Sequence, residues 1–174
     1  MKSDPKEHHG HSIRLKEHDY CAGTYFVTPA AFHHEYLSAE IVNSEMQLNE
    51  YGKITEECWR AIPEQFPNVE LGAYLGIPDH VHGIIAIHED KSFQPVGAQH
   101  AAPLQKSNVK PGSLGAMIRS FKSAVTRSIR QKNIWQRNYY ERVIRNEKEW
   151  DKILRYTGSN PIHWESDIKN LLNI

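Results

Sequence analysis

Two histidines separated by one residue are the strongest candidates for chemistry in this sequence. His80 and His82 flank Val81 at the start of an apolar run that continues to Ile87. Because the side chains of a β-strand alternate between its faces, both imidazoles should point one way and Val81 the other. Two neighbouring neutral imidazoles on a rigid strand can share one divalent cation. The pattern predicts a metal-binding pair, and a solvent-exposed pair of strand histidines is the alternative.

A cupin barrel also carries a His-x-His strand, but its carboxylate spacing is absent here. In a cupin a glutamate follows the second histidine by four or five residues. Those two positions hold Ala86 and Ile87, and the first carboxylate after them is Glu89. The histidine pair therefore requires a different fold around it.

A tyrosine on the helix predicted after the last strand is a candidate nucleophile. At 100° per residue, Tyr156 and Asn160 lie about 40° apart on this helix, so both can face one cleft. A phenol beside a phosphate held by a cation can attack phosphorus and form a phosphotyrosine link. The ordinary pKa of tyrosine, near about 10, leaves little phenolate at neutral pH, so the reaction needs such help. The residues alone do not single out one of the eight tyrosines.

The composition is that of a soluble globular protein. The 174 residues are 39% hydrophobic and 24% charged, which fits one domain with small additions. No apolar run approaches the roughly 20 residues of a membrane span, and the N-terminus is polar, so we expect a cytoplasmic protein that does not enter a membrane. The two cysteines, Cys21 and Cys58, form neither a disulfide framework nor a zinc spacing, and we expect reduced thiols.

Positive charge is concentrated in one segment of an otherwise neutral chain. Lysine and arginine together number 21, as do aspartate and glutamate, yet Lys110–Arg145 holds nine basic residues and one acidic residue, Glu141. This local charge of +8 predicts a nucleic-acid groove, and a solvated helix face is the alternative. The candidate contacts to nucleic acid are Arg119, Lys122, Arg130, Arg137 and Arg142.

The predicted elements follow one another as strand, helix, strand, strand, helix, strand. The strands are predicted over Tyr20–Thr28, Val69–Ile77, His80–His88 and Tyr139–Arg145, and the helices over Glu50–Gln65 and from a cap at Ser113 to about Gln131. Ala39–Gln47 is expected to add a minor extended piece. This βαββαβ order favours an α+β fold, a ferredoxin-like sandwich with an antiparallel sheet and two helices on one face.

Less regular segments lie outside this core. Residues 1–12 are expected to form a flexible tail, and the proline-containing stretch 89–112 a variable loop insertion, within a domain that spans residues 13–164. Asn146 and Glu149 are a capping pair for a helix from Glu147 to about Ser159. Residues 165–174 are expected to form a C-terminal helix.

The histidine segment also resembles a known motif. Pro78–Ile85 is similar to the His-hydrophobe-His motif of the HUH single-strand nucleases. Further segments are similar to those of the REP-associated tyrosine transposases and their insertion-sequence relatives: Ile13–Leu15, Tyr25–Thr28, Asn49–Ile54, Phe66–Val69, Arg119–Val125, Trp135–Tyr140, Ile144–Glu147 and Asn160–Pro161. The similarity runs from about Ile13 to Trp164 and omits the insertion.

This resemblance implies a reaction and a set of residues. His80 and His82 would bind Mg²⁺ or Mn²⁺, Asn160 would complete the metal site, and Tyr156 would be the nucleophile, with Tyr140 as the alternative. Members of this family cleave single-stranded DNA next to a hairpin, leave a 5′ phosphotyrosine and a free 3′ hydroxyl, and rejoin strands without ATP. The chain would act as a monomer or a homodimer. Gly158 departs from the family pattern, since glycine in a helix interior costs about 1 kcal/mol relative to alanine.

Two other functions are compatible with the sequence. The chain could be a protein that reads DNA hairpins through its basic segment without cleaving them. It could also be an RNA-binding module, since βαββαβ sheets bind RNA through stacked aromatic residues. The predicted strands lack the aromatic signature of such modules, so the RNA hypothesis depends on the fold alone.

Overall fold

The computed structural model describes residues 18–32, 37–42, 45–89 and 109–157. The elements in chain order are β1 (Gly23–Thr28), β2 (Ala39–Val42), β3 (Glu45–Leu48), α1 (Glu50–Arg60), α2 (Ile62–Gln65), β4 (Val69–Ile77), β5 (His80–Ile87), α3 (Leu114–Ile129), β6 (Tyr140–Ile144) and α4 (residues 147–157). The predicted tail at 1–12, most of the predicted insertion, Asn160 and the predicted helix at 165–174 lie outside the described residues. None of the described helices combines the length and apolarity that a membrane crossing requires.

The main sheet has the strand order β4-β5-β1-β6, and every pair in it is antiparallel. Helix α1 precedes β4, and α3 connects β5 to β6. This order confirms the predicted ferredoxin-like α+β sandwich. Strand β1 is central, because Tyr25 pairs with Ile85 of β5 on one side and with Val143 of β6 on the other.

One face of the sheet, which we call the helix face, packs against α1 and α3. Its buried core includes Tyr25, Val27, Val81, Ile85 and Ile87 from the sheet and Trp59, Leu114, Met117, Ile118, Phe121 and Val125 from the helices. Helix α3 begins where Ser113 accepts a hydrogen bond from the backbone N–H of Ala116, as its N-terminal signal predicts. The burial of these side chains fixes the register of β5, since a slip of one residue would exchange its faces.

The opposite face, which we call the histidine face, carries a smaller apolar cluster. Phe26 of β1 and Ile84 of β5 contact Ile153 of α4, with Trp150 and Tyr156 at the edge of the cluster. Helix α4 thus covers part of the sheet on the side opposite to α1 and α3. The alternation along β5 places His80 and His82 on this histidine face.

Some predicted boundaries are wrong for identifiable reasons. The helix predicted over Glu50–Gln65 is interrupted at Ala61, because Pro63 lacks an N–H and its ring would clash with a carbonyl one turn earlier. The single extended piece predicted at Ala39–Gln47 is instead the antiparallel hairpin of β2 and β3. Residues 20–22 form a turn, so β1 begins at Gly23 and not at Tyr20.

The buried face of α1 also differs from the stripe that the spacing of its apolar residues predicts, which consists of Tyr51, Ile54, Cys58, Trp59 and Ile62. Tyr51 is 40% exposed, and the buried residues are Gly52, Thr55 and Trp59. The cause is the close approach of another segment: a Cβ atom on Gly52 would lie 1.9 Å from the carbonyl oxygen of Ser38. The absence of a side chain at Gly52 therefore decides which face of α1 turns inward.

Candidate functional site

The two histidines lie side by side and are buried. His80 is 2% exposed and His82 is 0% exposed. Their Nε2 atoms are 3.2 Å apart, and their ring centroids are 4.6 Å apart. Val81 points to the helix face and is fully buried there, as strand alternation predicts. The alternative of a solvent-exposed histidine pair is wrong.

The Nδ1 atom of each imidazole has a partner on the protein. Oδ1 of Asp79 lies 2.7 Å from Nδ1 of His80, and Oγ1 of Thr28 lies 2.9 Å from Nδ1 of His82. Asp79 is 1% exposed and Thr28 is 3% exposed. Both rings are thus held on the side away from their facing Nε2 atoms.

The turn before β5 is fixed by backbone hydrogen bonds from two other segments. The N–H of Ala31 donates to the carbonyl of Asp79 at 2.7 Å, and the N–H of Leu37 donates to the carbonyl of Pro78 at 2.6 Å. On the far side of the turn, the N–H of Val81 donates to the carbonyl of Pro29 at 3.0 Å. The first histidine therefore follows a turn whose backbone has little freedom to move.

The separation of the two Nε2 atoms fits a shared cation. Two imidazole nitrogens that bind one divalent cation at about 2.1 Å and at angles of about 90 to 110° lie about 3.0 to 3.4 Å apart. The observed 3.2 Å lies inside this range. Among the described residues no group of three His, Cys, Asp or Glu side chains could hold a metal ion, and Asn160 is outside them. The described part of the site therefore supplies two candidate ligands.

Tyr156 of α4 lies next to the histidine pair. Its ring centroid is 5.5 Å from that of His82, and the ring planes are inclined by 58°. Phe26 lies beside both rings, 5.0 Å from His82 and 6.3 Å from Tyr156 between centroids. The Tyr156 hydroxyl oxygen is shielded from solvent. The structure thus brings together the three described side chains for which the sequence predicts metal binding and nucleophilic attack.

Helix α4 is fixed at its start and along one side. The Asn146 side chain accepts a hydrogen bond from the N–H of Glu149 at 3.0 Å, and Glu149 accepts one from the N–H of Arg145 at 2.8 Å, so the predicted capping pair is present. Trp150 packs over Gly72 of β4, where an added Cβ atom would lie 3.3 Å from the indole and 2.9 Å from Cβ of Ile84. The missing side chain at Gly72 therefore provides the space in which α4 docks.

Tyr140, the alternative nucleophile, lies farther from the histidines. It pairs with Thr28 across β6 and β1, which puts it on the histidine face but two strands away from β5. Tyr139 packs at the edge of the helix-face core instead. Among the described tyrosines, Tyr156 is the one whose ring contacts His82.

The predicted nucleic-acid residues are divided between the two sides of the sheet. Arg142 pairs with Phe26 and therefore belongs to the histidine face. Arg119 is exposed on α3, on the opposite side, Arg130 is exposed directly after the last residue of α3, and Arg137 is exposed in the segment before β6. The basic segment therefore does not form one continuous surface around the histidine pair.

Lys122 has a structural environment unlike that of the other basic candidates. Its Nζ donates to the carbonyl oxygens of Gln136 at 2.9 Å and Asn138 at 2.8 Å. The ammonium also lies 6.0 Å from the ring centroid of Trp135 and 5.7 Å from that of Tyr139. Burial lowers the pKa of Lys122 to about 8, because the charged form loses hydration. These contacts tie α3 to the segment that leads into β6.

Sequence reasoning missed Asp79, Thr28 and Phe26 as parts of this site. Asp79 directly precedes His80, so a carboxylate beside a candidate ligand was an available signal. Thr28 and Phe26 are 54 and 56 residues away from His82 in the chain. Their place beside the histidine emerges only from the pairing of β1 with β5.

Comparisons with known proteins give one sequence relative and two solved structures. No protein-family model matches the chain. A protein of Haemophilus influenzae, described only as uncharacterized, is 39% identical over 168 residues, which cover 92% of each chain. The structure of a REP-associated tyrosine transposase bound to a REP hairpin matches with a TM-score of 0.59 at 19% identity, over 87% of this chain and 73% of that chain. A candidate transposase from Deinococcus radiodurans matches with a TM-score of 0.45 at 17% identity, over 83% of this chain and 95% of that chain.

Proposed function

Because this chain belongs to the family of the Haemophilus influenzae protein and has the fold of the REP-associated tyrosine transposase, we propose that it is a tyrosine transposase that cuts and rejoins DNA. Its substrate would be single-stranded DNA beside a hairpin. The observation that carries this proposal is the convergence of the Tyr156 ring, at 5.5 Å from His82, with two imidazole nitrogens 3.2 Å apart. The transposase of the same fold is bound to a REP hairpin, which supports a hairpin substrate here.

The histidine pair would hold Mg²⁺ or Mn²⁺ through its Nε2 atoms, and Asn160 would be the third protein ligand. When bound, such a cation supplies positive charge against a phosphate oxygen and stabilises the charge that develops in the transition state. The imidazoles are suited to this role because Asp79 and Thr28 occupy their other nitrogens.

Tyr156 would carry the covalent step. Its phenolic oxygen forms a bond to phosphorus, the bond from phosphorus to the 3′ oxygen breaks, and one proton passes from the phenol to that 3′ oxygen. The products are a 5′ phosphotyrosine and a free 3′ hydroxyl. The phosphodiester energy is kept in the phosphotyrosine, so a second 3′ hydroxyl can reverse the step and rejoin strands without ATP.

The chain would orient the reactants through the histidine face. Helix α4 holds Tyr156 against Phe26. Arg142 lies on the same face, on the edge strand β6, where its charge can neutralise a phosphate of the bound DNA. Burial of both histidines keeps bulk water away from the reacting groups and strengthens the local electrostatic interactions.

A covalent-adduct assay tests this function. The full chain is incubated with Mn²⁺ and with hairpin oligonucleotides whose single-stranded flanks come from palindromic repeats near the gene. We expect an adduct that survives denaturing electrophoresis, that is absent in Tyr156→Phe, and that persists in the matched variant Tyr140→Phe. An adduct in Tyr156→Phe that is lost in Tyr140→Phe would reassign the nucleophile.

Hairpin binding without cleavage is the competing function, and the same experiment separates the two. His82→Ala should form no adduct but should still shift the hairpin in a native gel, because the phosphate contacts come from basic residues elsewhere. If the unmodified chain binds the hairpin in Mn²⁺ and never forms an adduct, the protein reads hairpins without cutting them.

A further inference from the structure

The hydrogen bonds at Nδ1 of the two imidazoles point to a role beyond packing. Asp79 and Thr28 reach these nitrogens from different directions, one from the turn before β5 and the other from the end of β1. Both side chains are almost completely buried, so bulk water does not compete for these bonds. Two buried polar side chains thus orient the two imidazole rings.

Asp79 determines which nitrogen of His80 carries a proton. An ionised carboxylate can only accept hydrogen bonds, so an ionised Asp79, with Oδ1 2.7 Å from Nδ1, selects the form of His80 that carries its proton at Nδ1. The neutral imidazole then has a lone pair at Nε2, which points toward His82. The N–H of Ala31, which donates to the carbonyl of Asp79, holds the backbone that carries this carboxyl group.

Thr28 holds the ring of His82 without a charge. Its hydroxyl lies 2.9 Å from Nδ1 and can donate to or accept from this nitrogen, and the contact keeps Nε2 of His82 directed at Nε2 of His80. Thr28 is the last residue of β1, and its backbone is held by the pairing with Tyr140 of β6. Sheet pairing therefore fixes the distance between the hydroxyl and the imidazole.

We propose that Asp79 and Thr28 are positioning residues that prepare His80 and His82 as a two-nitrogen ligand for one divalent cation. They hold both rings at Nδ1 and keep the two Nε2 atoms facing each other, 3.2 Å apart, before any cation arrives. This proposal rests on the proposed function in one respect, that the cation is the one used in DNA cleavage.

Cation affinity without DNA is the first test. Titration calorimetry of the full chain with Mn²⁺ should show dissociation constants about 10- to 100-fold higher for Asp79→Asn and for Thr28→Val than for the unmodified chain. Both substitutions keep the size of the side chain. The matched controls are Asp151→Asn on the exposed side of α4 and Thr24→Val on β1, and both should bind Mn²⁺ as the unmodified chain does.

The protonation state of the rings is the second test, and packing alone would not change it. Nitrogen chemical shifts of ¹⁵N-histidine-labelled protein at about pH 8, above the ordinary pKa of histidine, report which ring nitrogen carries the proton. Without cation, the unmodified chain should show His80 protonated at Nδ1. In Asp79→Asn the population protonated at Nε2 should increase, because an amide can donate as well as accept.

Two results would overturn the proposal. The first is that both Asp79→Asn and Thr28→Val bind Mn²⁺ with an affinity within about twofold of the unmodified chain. The second is that His80 of the unmodified chain, without cation, carries its proton at Nε2, and this measurement does not depend on the folding of any variant. Failure of the proposed function looks different: a chain with the expected Mn²⁺ affinities that never forms a DNA adduct retains the positioning roles and loses the nuclease. If the unmodified chain forms the adduct but Asp79→Asn and Thr28→Val bind Mn²⁺ as it does, the proposed function stands and the positioning roles are lost.

Discussion

Gly83, between His82 and Ile84 on β5, should not tolerate a side chain. A Cβ atom at this position would point to the helix face and lie 2.2 Å from Cζ2 and 2.4 Å from Cη2 of Trp59. Ordinary Cβ contacts begin at 3.4 Å, so the indole would have to move by about 1.2 Å in Gly83→Ala. Trp59 is 1% exposed and packs between Phe121 and Tyr74, with ring centroids 5.4 and 5.6 Å away. The ring therefore has no free space to move into.

The free energy of unfolding should fall by about 1–3 kcal/mol in Gly83→Ala. Overpacking of a filled core costs about this amount, whereas alanine gains only about 0.4–1 kcal/mol by reducing the entropy of the unfolded chain. For a chain of this length each kcal/mol corresponds to roughly 2–4 °C in Tm, so we expect Tm to fall by about 2–12 °C.

A double-mutant cycle tests the stated cause. Urea unfolding should show that Gly83→Ala costs less in a Trp59→Phe background than in the unmodified chain, with a coupling of about 0.5–3 kcal/mol, because phenylalanine leaves room for the new methyl group. If Gly83→Ala is as stable as the unmodified chain, or if it lowers the free energy of unfolding equally in both backgrounds, the close packing of Trp59 on Gly83 is wrong.

Two further predictions concern the basic residues. Lys122 has a pKa of about 8 in the folded chain against an ordinary 10.5, so between these pH values the unfolded chain binds more protons than the folded chain. As pH rises from about 8 to about 10.5, the free energy of unfolding of the unmodified chain should therefore increase relative to that of Lys122→Met, by at most about 3 kcal/mol. Urea unfolding of both proteins across that range measures the difference, and parallel curves would contradict the desolvation of Lys122. Arg142→Ala should weaken binding of single-stranded DNA and reduce the slope of log affinity against log salt by about 1, while the exposed control Arg60→Ala changes neither. Equal slopes for Arg142→Ala and the unmodified chain would remove Arg142 from the DNA surface.

The fold could be predicted because its signals are local. Four of these signals depend on residues that are close in the sequence. They are the alternation around Val81, the cap at Ser113, the pair of Asn146 with Glu149, and the spacing of the apolar residues Leu114, Met117, Ile118, Phe121 and Val125 on α3. Each of these features is present in the structure. Once six elements are placed in order, few topologies bury their apolar faces, and the ferredoxin-like sandwich is one of them.

The surroundings of the histidines could not be predicted because they depend on register. Thr28 reaches His82, and Arg142 shares a face with Phe26, only through the particular pairing of β1 with β5 and β6. The same limit explains the basic segment: its charges are close in sequence, but the sheet separates Arg142 from Arg119 on α3. Local composition therefore predicted a basic surface without its division between the two sides of the sheet.

The proposed cation ligands and the proposed nucleophile lie on two elements that are held by different clusters. Strand β5 is fixed from its far side, where Val81 and Ile85 lie in the large core beneath α1 and α3. Helix α4 packs instead on the small cluster of Phe26, Ile84 and Ile153, and its docking depends on the space above Gly72. Because β5 is held by the large core on the opposite face, a side chain added at Gly72 should displace α4 and Tyr156 while the backbone of His80 and His82 stays in place. We therefore expect the proposed cation affinity and the proposed covalent attack to be lost separately in variants of this chain.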